Sequence, residues 1–335
     1  MRADPALVLT APANGARPAP AGNGSPASEP RAPNWRETVR YLTYRGLAAG
    51  MGHMPEPLAH GVARTVAGVM ARRGGPAMEM AELHIRRVLA TEYPNGVEPD
   101  PALVRRLAKR SFDYYARYWA DGARLPYETE YGVRLHWRLE EGDEHLRNAM
   151  AAGKGIVMAL PHVGSWEWGG YWLALEGMPM TAVMEELEPP QLFEWFVGQR
   201  ASMGITAVPL GEGSSAALIR ALKKNQLAGL VSDRDLVGNG VEVEFFGERT
   251  TLPGGAATLA LRTGAPLICV CVYSGPGANW HTAVVHAPLD TTRRGGLRED
   301  ITRVTQDMAR TFEHDIRCRP EQWHMYQPVW ADDPQ

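Results

Sequence analysis

GIVMALPHVGSWEWGGYWLAL, residues 155–175, decides how the chain is built. Ile156 to Leu160 form an unbroken apolar run bounded by Gly155 and Pro161, the pattern of a strand buried on both faces. After Pro161 the chain turns through His162, Val163 and Gly164, and a helix opens near Ser165. Glu167 falls in its first turn, where a carboxylate gains from the helix dipole. A buried strand that runs through a short turn into a helix is half of a βαβ unit. Its sheet is therefore mostly parallel and covered by helices on both faces.

Reading outward, the alternation continues. Strands are expected at 131–138, 180–184, 205–210, 227–231, 266–273 and near 281–288, with helices at 143–152, 189–203, 214–224, 253–263 and 296–317. VEVEFF at 241–246 alternates and reads as a partly exposed strand. Cys269 and Cys271 alternate within ICVCVY, so both face one side of a buried strand. With Cys318 they fit neither a disulfide framework nor a zinc site, which suits a reducing compartment and no metal.

Before residue 126 the spacing is helical. Tyr41, Tyr44, Leu47 and Ala48 make one face, and the break at Met54-Pro55-Glu56-Pro57 precedes a second helix through Val62, Val66 and Met70. Two more follow at about 77–93 and 101–122, the latter carrying basic residues beside Phe112, Tyr115 and Trp119. Residues 1–34 are a Pro/Ala/Gly/Ser tract with too few large apolar groups to offset chain entropy, and read as a disordered extension. The expected organisation is an α/β fold in which a basic amphipathic helical region, 35–125, is continuous as one domain with a core at 126–335.

At 335 residues, 44% of them apolar, the chain can bury a full core. Its net charge of −3 argues against a nucleic-acid-coating protein. That total hides a split. Residues 36–125 carry fourteen Lys/Arg against nine Asp/Glu, whereas 126–335 carry eighteen against twenty-seven. A basic segment rich in Met, Leu, Tyr and Trp suits an anionic bilayer surface; the plainer alternative is the solvated outside of a helical subdomain. No run of eighteen apolar residues is present, so no spanning helix is expected, and the start lacks a secretory leader.

The chemistry collects at strand ends. In open α/β sheets ligands bind where strands end, and His162 falls there. An imidazole beside a carboxylate acts as a general base, because the acid sets the tautomer and steadies the imidazolium. Glu167 offers one such acid. Asp233 offers another, since SDRDL follows the buried strand at 227–231, with Arg234 and Asp235 beside it. Gly254 and Gly255, in LPGGA, open a helix whose amides could hold an anion, or simply start a helix after a proline. No Gly-x-Ser-x-Gly elbow, phosphate loop or dinucleotide fingerprint is present. A histidine with acids and no nucleophile points to direct transfer to a substrate hydroxyl.

The set of PHVGSWE, SDRDL, the FFGE-x-T-x-L-P-G-G-A-A run and PEQWHMYQPVW resembles the bacterial lipid A acyltransferase family, closest to its actinobacterial phosphatidylinositol mannoside branch. The resemblance covers about residues 35–330. It implies transfer of a long acyl chain from acyl-CoA, or acyl carrier protein in the lipid A branch, to a hydroxyl of a membrane glycolipid. It also implies a peripheral protein at the cytoplasmic face of the cell membrane, with no cofactor beyond the acyl-CoA substrate. His162 then matches the catalytic histidine, Glu167 the acid of the His-x-x-x-x-Asp/Glu motif, and Asp233 a glutamate paired with the histidine. Arg200 matches an arginine that holds polar parts of the substrates.

Glu167 and Asp233 each differ by one methylene from the mannoside branch, which bears on the acceptor more than on the reaction. Asp233 or Glu167 would stabilise the imidazolium, and amides near Gly164–Ser165 or Gly254–Gly255 would hold the oxyanion. Trp166, Trp168, Trp172 and Met184 are candidate walls for the acyl chain, and Phe193, Trp195 and Phe196 a candidate membrane-facing ridge. The alternatives are an acyl-CoA or lipid esterase using the same residues, acylation of a different lipid-like acceptor, and a silent lipid-binding protein.

Overall fold

The computed structural model describes residues 34–93, 96–275 and 280–334. Apart from Asn34, the expected disordered extension lies outside the described residues. Asn34 caps the first helix, accepting from the Glu37 amide while the Glu37 carboxylate takes the Asn34 amide.

Four helices come first: α1 (Trp35–Gly52), α2 (Glu56–Arg73), α3 (Pro76–Ala90) and α4 (Pro101–Arg124). Their packing differs from the expectation. α2 buries only Ala59, Ala63, Ala67 and Ala71, and α1 buries no residue fully. The stripe expected to seat α2 turns outward instead, with Val62 43% and Val66 39% exposed. Alanines let α2 lie close on α4, which brings Ala108, Ala116 and Ala120 to the shared cluster.

The next stretch corrects a boundary. Residues 130–135 form a short helix, α5 (Glu130–Leu135), not the start of a strand. The Thr129 hydroxyl accepts the Gly132 amide at 3.0 Å, and this cap captures the backbone in a helical turn. Strand geometry begins only with β1 (Trp137–Glu141), where a partner strand is available.

The remaining elements are α6 (Asp143–Ala151), β2 (Ile156–Leu160), α7 (Trp166–Leu175), β3 (Met180–Met184), α8 (Pro190–Ser202), β4 (Ile205–Pro209), α9 (Ser214–Lys223), β5 (Leu227–Val231), β6 (Val241–Phe245), β7 (Glu248–Leu252), α10 (Gly255–Thr263), β8 (Leu267–Ser274), β9 (His281–Val285) and α11 (Leu297–Cys318). Seven strands make one sheet in the order β1-β9-β8-β2-β5-β3-β4. All its pairs are parallel except β8 with β9, so β9 and β1 run against the other five. The fold is the expected α/β class. β7, which the sequence reading missed, pairs antiparallel with β6 as a separate hairpin.

The alternation of β2 divides the core. Val157 and Ala159 join Cys269, Cys271 and the α11 residues Val304, Met308 and Phe312 on one face. Ile156, Met158 and Leu160 meet Trp168 and Leu173 of α7 on the other. The sheet is thus buried on both sides, as apolar strands of a parallel sheet require.

Candidate active site

Register brings the site together. Leu160 of β2 pairs with Val231 of β5, so His162 and Asp233, each two residues further on, emerge side by side. The His162 ring Nδ1 lies 2.6 Å from Asp233 Oδ1, and the His162 backbone N–H donates to Oδ2 at 2.8 Å. A buried carboxylate only accepts, so Nδ1 carries the proton and Nε2 keeps its lone pair. Asp233 is fully buried, and burial alone would raise its pKa. The charge of His162, its two hydrogen bonds and one from the Trp323 indole outweigh that and hold the carboxyl below its ordinary range.

The turn itself is tightly made. Gly164 has φ of +58°, and a Cβ there would sit 2.0 Å from the Val272 carbonyl oxygen. Only glycine fits. The segment 322–324 runs alongside: the Gly164 amide donates to the Gln322 carbonyl at 3.2 Å, and the His324 amide to that of His162 at 2.8 Å. The Gly164 amide, expected as an oxyanion donor, is therefore already engaged. Ser165, also expected there, is buried with its hydroxyl unpartnered.

The second acid sits elsewhere. Glu167 Oε1 accepts from the Tyr118 hydroxyl and from Arg200, both at 2.9 Å, and its Oε2 is buried without a partner. Of the two candidate acids, Asp233 meets His162 and Glu167 meets Arg200. The Arg200 guanidinium also lies over the Trp166 ring at 4.9 Å.

Other expected residues prove structural. Asp235 accepts the amides of Val237, Gly238 and Gly240 and the Thr251 hydroxyl, closing the loop onto β7. Those four bonds occupy its two oxygens within the loop. Arg234 pairs with Glu185 at 3.1 Å. At the start of α10 a Cβ on Gly254 would meet Val241 at 2.6 Å, so that glycine serves close packing, whereas one on Gly255 would make only ordinary contact with Leu230 at 3.6 Å.

Sequence reasoning assigned no role to His324 or Trp323. His324 is buried between Tyr115 and Tyr118, with ring centroids at 5.3 and 5.5 Å, and neither ring nitrogen makes a well-aligned hydrogen bond, although the Gly164 backbone lies beside the ring. Burial and the nearby charge of His162 lower its pKa to about 3, so the ring is neutral. Only the PEQWHMYQPVW block, far along the chain, hinted at either residue.

Beside this cluster opens an apolar groove of about 320 Å³. Its walls are Tyr44, Leu47 and Met51 of α1, Val62 and Val66 of α2, Trp119 of α4, and Trp195 and Phe196 of α8, with Tyr118, Glu167 and Arg200 also lining it. The expected walls lie elsewhere. Trp168 is core, stacked on His281 at 4.3 Å, and Trp172 stacks on Trp137 at 5.4 Å. Trp195 and Phe196, expected as an outer ridge, line the groove instead.

A histidine braced by a buried carboxylate, with an apolar groove reaching Tyr118, Glu167 and Arg200 nearby, is an arrangement suited to base-assisted chemistry on a substrate with a long apolar part. Residues 29–332 match the family model for bacterial lipid A biosynthesis acyltransferases. The chain is 39% identical over 300 residues to a phosphatidylinositol mannoside acyltransferase of Mycolicibacterium smegmatis, covering 87% of this chain and 92% of that one. It is 35% identical over 309 residues to the protein of the same name from Mycobacterium tuberculosis, covering 90% of each. The chain belongs to the bacterial lipid A biosynthesis acyltransferase family.

Proposed function

We propose that the protein transfers a long-chain acyl group from acyl-CoA to a sugar hydroxyl of a membrane glycolipid, the mannose of a phosphatidylinositol mannoside. The names of the relatives support the acceptor. The observation that carries the chemistry is the His162–Asp233 pair, in which Nδ1 is held by the carboxylate while Nε2 keeps its lone pair.

In this reading the acyl chain lies among the walls of α1, α2, α4 and α8. Nε2 of His162 takes the hydroxyl proton as the oxygen attacks the thioester carbon, and Asp233 stabilises the imidazolium. His324, a neutral ring with an uncommitted N–H, supplies the oxyanion donor in place of the engaged Gly164 amide. The tetrahedral intermediate collapses by breaking the C–S bond, and the thiolate of CoA recovers the proton from His162. The Glu167–Arg200 pair orients the polar groups at the groove's edge.

The bilayer contact in this reading is the outward apolar stripe of α1 and α2, Trp35, Val39, Leu42, Leu58, Val62, Val66 and Val69, all exposed. Within the basic region, two arginines of α4 have acidic neighbours, Arg105 near Glu82 and Arg110 near Glu321. They contribute less. No helix among the described residues is long and apolar enough to cross a membrane, which suits a peripheral protein on the cytoplasmic face.

The test is turnover of a long-chain acyl-CoA with and without phosphatidylinositol mannoside. Acylated glycolipid formed by the wild type, and lost in folded His162→Ala and Asp233→Asn, is the expected result. Free fatty acid released at the same rate without acceptor would make the protein an esterase. Wild-type turnover by His162→Ala would remove the mechanism.

A further inference from the structure

We propose that Trp323 is a positioning residue of the His162–Asp233 pair, its indole N–H fixing the carboxylate that holds the His162 ring in place. The proposal rests on the reading of His162 as the general base.

The geometry is specific. Trp323 Nε1 donates to Asp233 Oδ2 at 2.8 Å, and the same oxygen accepts the His162 backbone N–H at 2.8 Å. Two donors on Oδ2 leave Oδ1 to face Nδ1 of His162 at 2.6 Å. Rotation of the carboxylate would break all three bonds. Indole suits this place because it donates and does not accept. A hydroxyl or imidazole here would bring a lone pair able to compete for the Nδ1 proton.

The indole is itself held. Trp323 is buried, its backbone bridges Val163, and its ring lies 5.4 Å from His84 and 6.2 Å from Trp330. Trp330 lies 4.1 Å beneath the Arg87 guanidinium, which is anchored by Asp333 at 2.9 Å and Asp332 at 3.0 Å. The terminal segment thus pins the donor to the fold through α3.

Each donor on a carboxylate draws off charge. Without the indole N–H, Asp233 holds more charge toward Nδ1 and attracts more strongly the imidazolium that forms on proton transfer. His324 is held neutral by burial, the Cys271 thiol is held protonated by burial, and Glu167 is paired with Arg200.

The experiment uses the full chain with Trp323 replaced by benzothienylalanine through nonsense suppression. That residue keeps the bicyclic shape and removes the N–H; Trp323→Phe serves as the simpler companion. kcat/KM is followed against pH with acyl-CoA and glycolipid. The acid limb, which reports the base of the free enzyme, moves up by about half to one pH unit. Plateau kcat falls by roughly tenfold as the carboxylate loosens, with KM for acyl-CoA within about twofold.

An acid limb unmoved in the benzothienylalanine protein overturns the proposal, whatever happens to kcat, since lost packing alone would not shift it. Failure of the underlying reading is separate: it is seen as turnover by His162→Ala.

Discussion

α2 and α11 are both amphipathic helices, yet they use their apolar faces in opposite ways. α11 buries Val304, Met308, Phe312 and Ile316 against the sheet and turns charge to solvent. α2 buries alanines and exposes Leu58, Val62, Val66 and Val69. Large side chains contribute most to folding when buried, at about 1.5–3 kcal/mol each. A helix that seats itself on alanine leaves that free energy unused in the folded chain. The apolar surface of α2 is therefore available to a second apolar phase, an acyl chain in the groove and a bilayer outside it. In the proposed function the difference separates side chains that hold the core from those that would meet lipid.

The largest effect expected lies at the His162 site, which neither face of these helices forms. His162→Ala should lower turnover about 10²–10⁴-fold with the protein still folded at the assay temperature, although its unfolding temperature falls because the buried Asp233 carboxylate loses a partner. In α11, Phe312→Ala should cost about 3–5 kcal/mol in denaturant unfolding, since the ring is wholly buried. The corresponding change in α2 behaves differently. Val62→Glu or Val66→Glu should alter stability by less than about 1 kcal/mol yet weaken sedimentation with phosphatidylinositol-containing vesicles about five- to tenfold per residue. A collapse of stability in these variants would place the stripe with the core.

A pH experiment sharpens the core side of the comparison. Burial lowers the pKa of His281 to about 4 and that of His324 to about 3. The unfolded chain takes up these protons below about pH 6.5 while the folded chain does not. Stability from these groups is thus complete above that pH and declines toward pH 4, by up to about 1.4 kcal/mol per pH unit for each ring. His281→Phe should flatten the decline by about one proton in urea unfolding measured from pH 7 to pH 4.5. An unchanged slope would mean that His281 is charged in the folded protein.

The elements were legible to different degrees, for local reasons. The runs at 156–160, 180–184 and 227–231 read as strands because their patterns carry their own burial. The 131–138 stretch misled because YGVRLHWR satisfies a strand pattern, while the Thr129 cap, which decides for helix, is a contact between two atoms. β7 was missed because ERTTL has little apolar signal and is a strand only through pairing with β6. His162 and Asp233 were found because each follows a buried strand directly. The choice between Asp233 and Glu167 was not open to spacing, since Glu167 is five residues from His162 and Asp233 is seventy-one.

Local pattern was enough for the α/β class, the strand ends that hold the chemistry and the existence of amphipathic helices before residue 126. These follow from side-chain period and turn chemistry, which act over a few residues. Tertiary structure alone decided that Asp233 partners His162, that Trp323 and His324 return to the same turn, and that the large side chains of α2 face outward. Those outcomes depend on strand register and on which neighbour each face meets. An amphipathic pattern shows that a face will avoid water without showing whether protein or lipid will cover it.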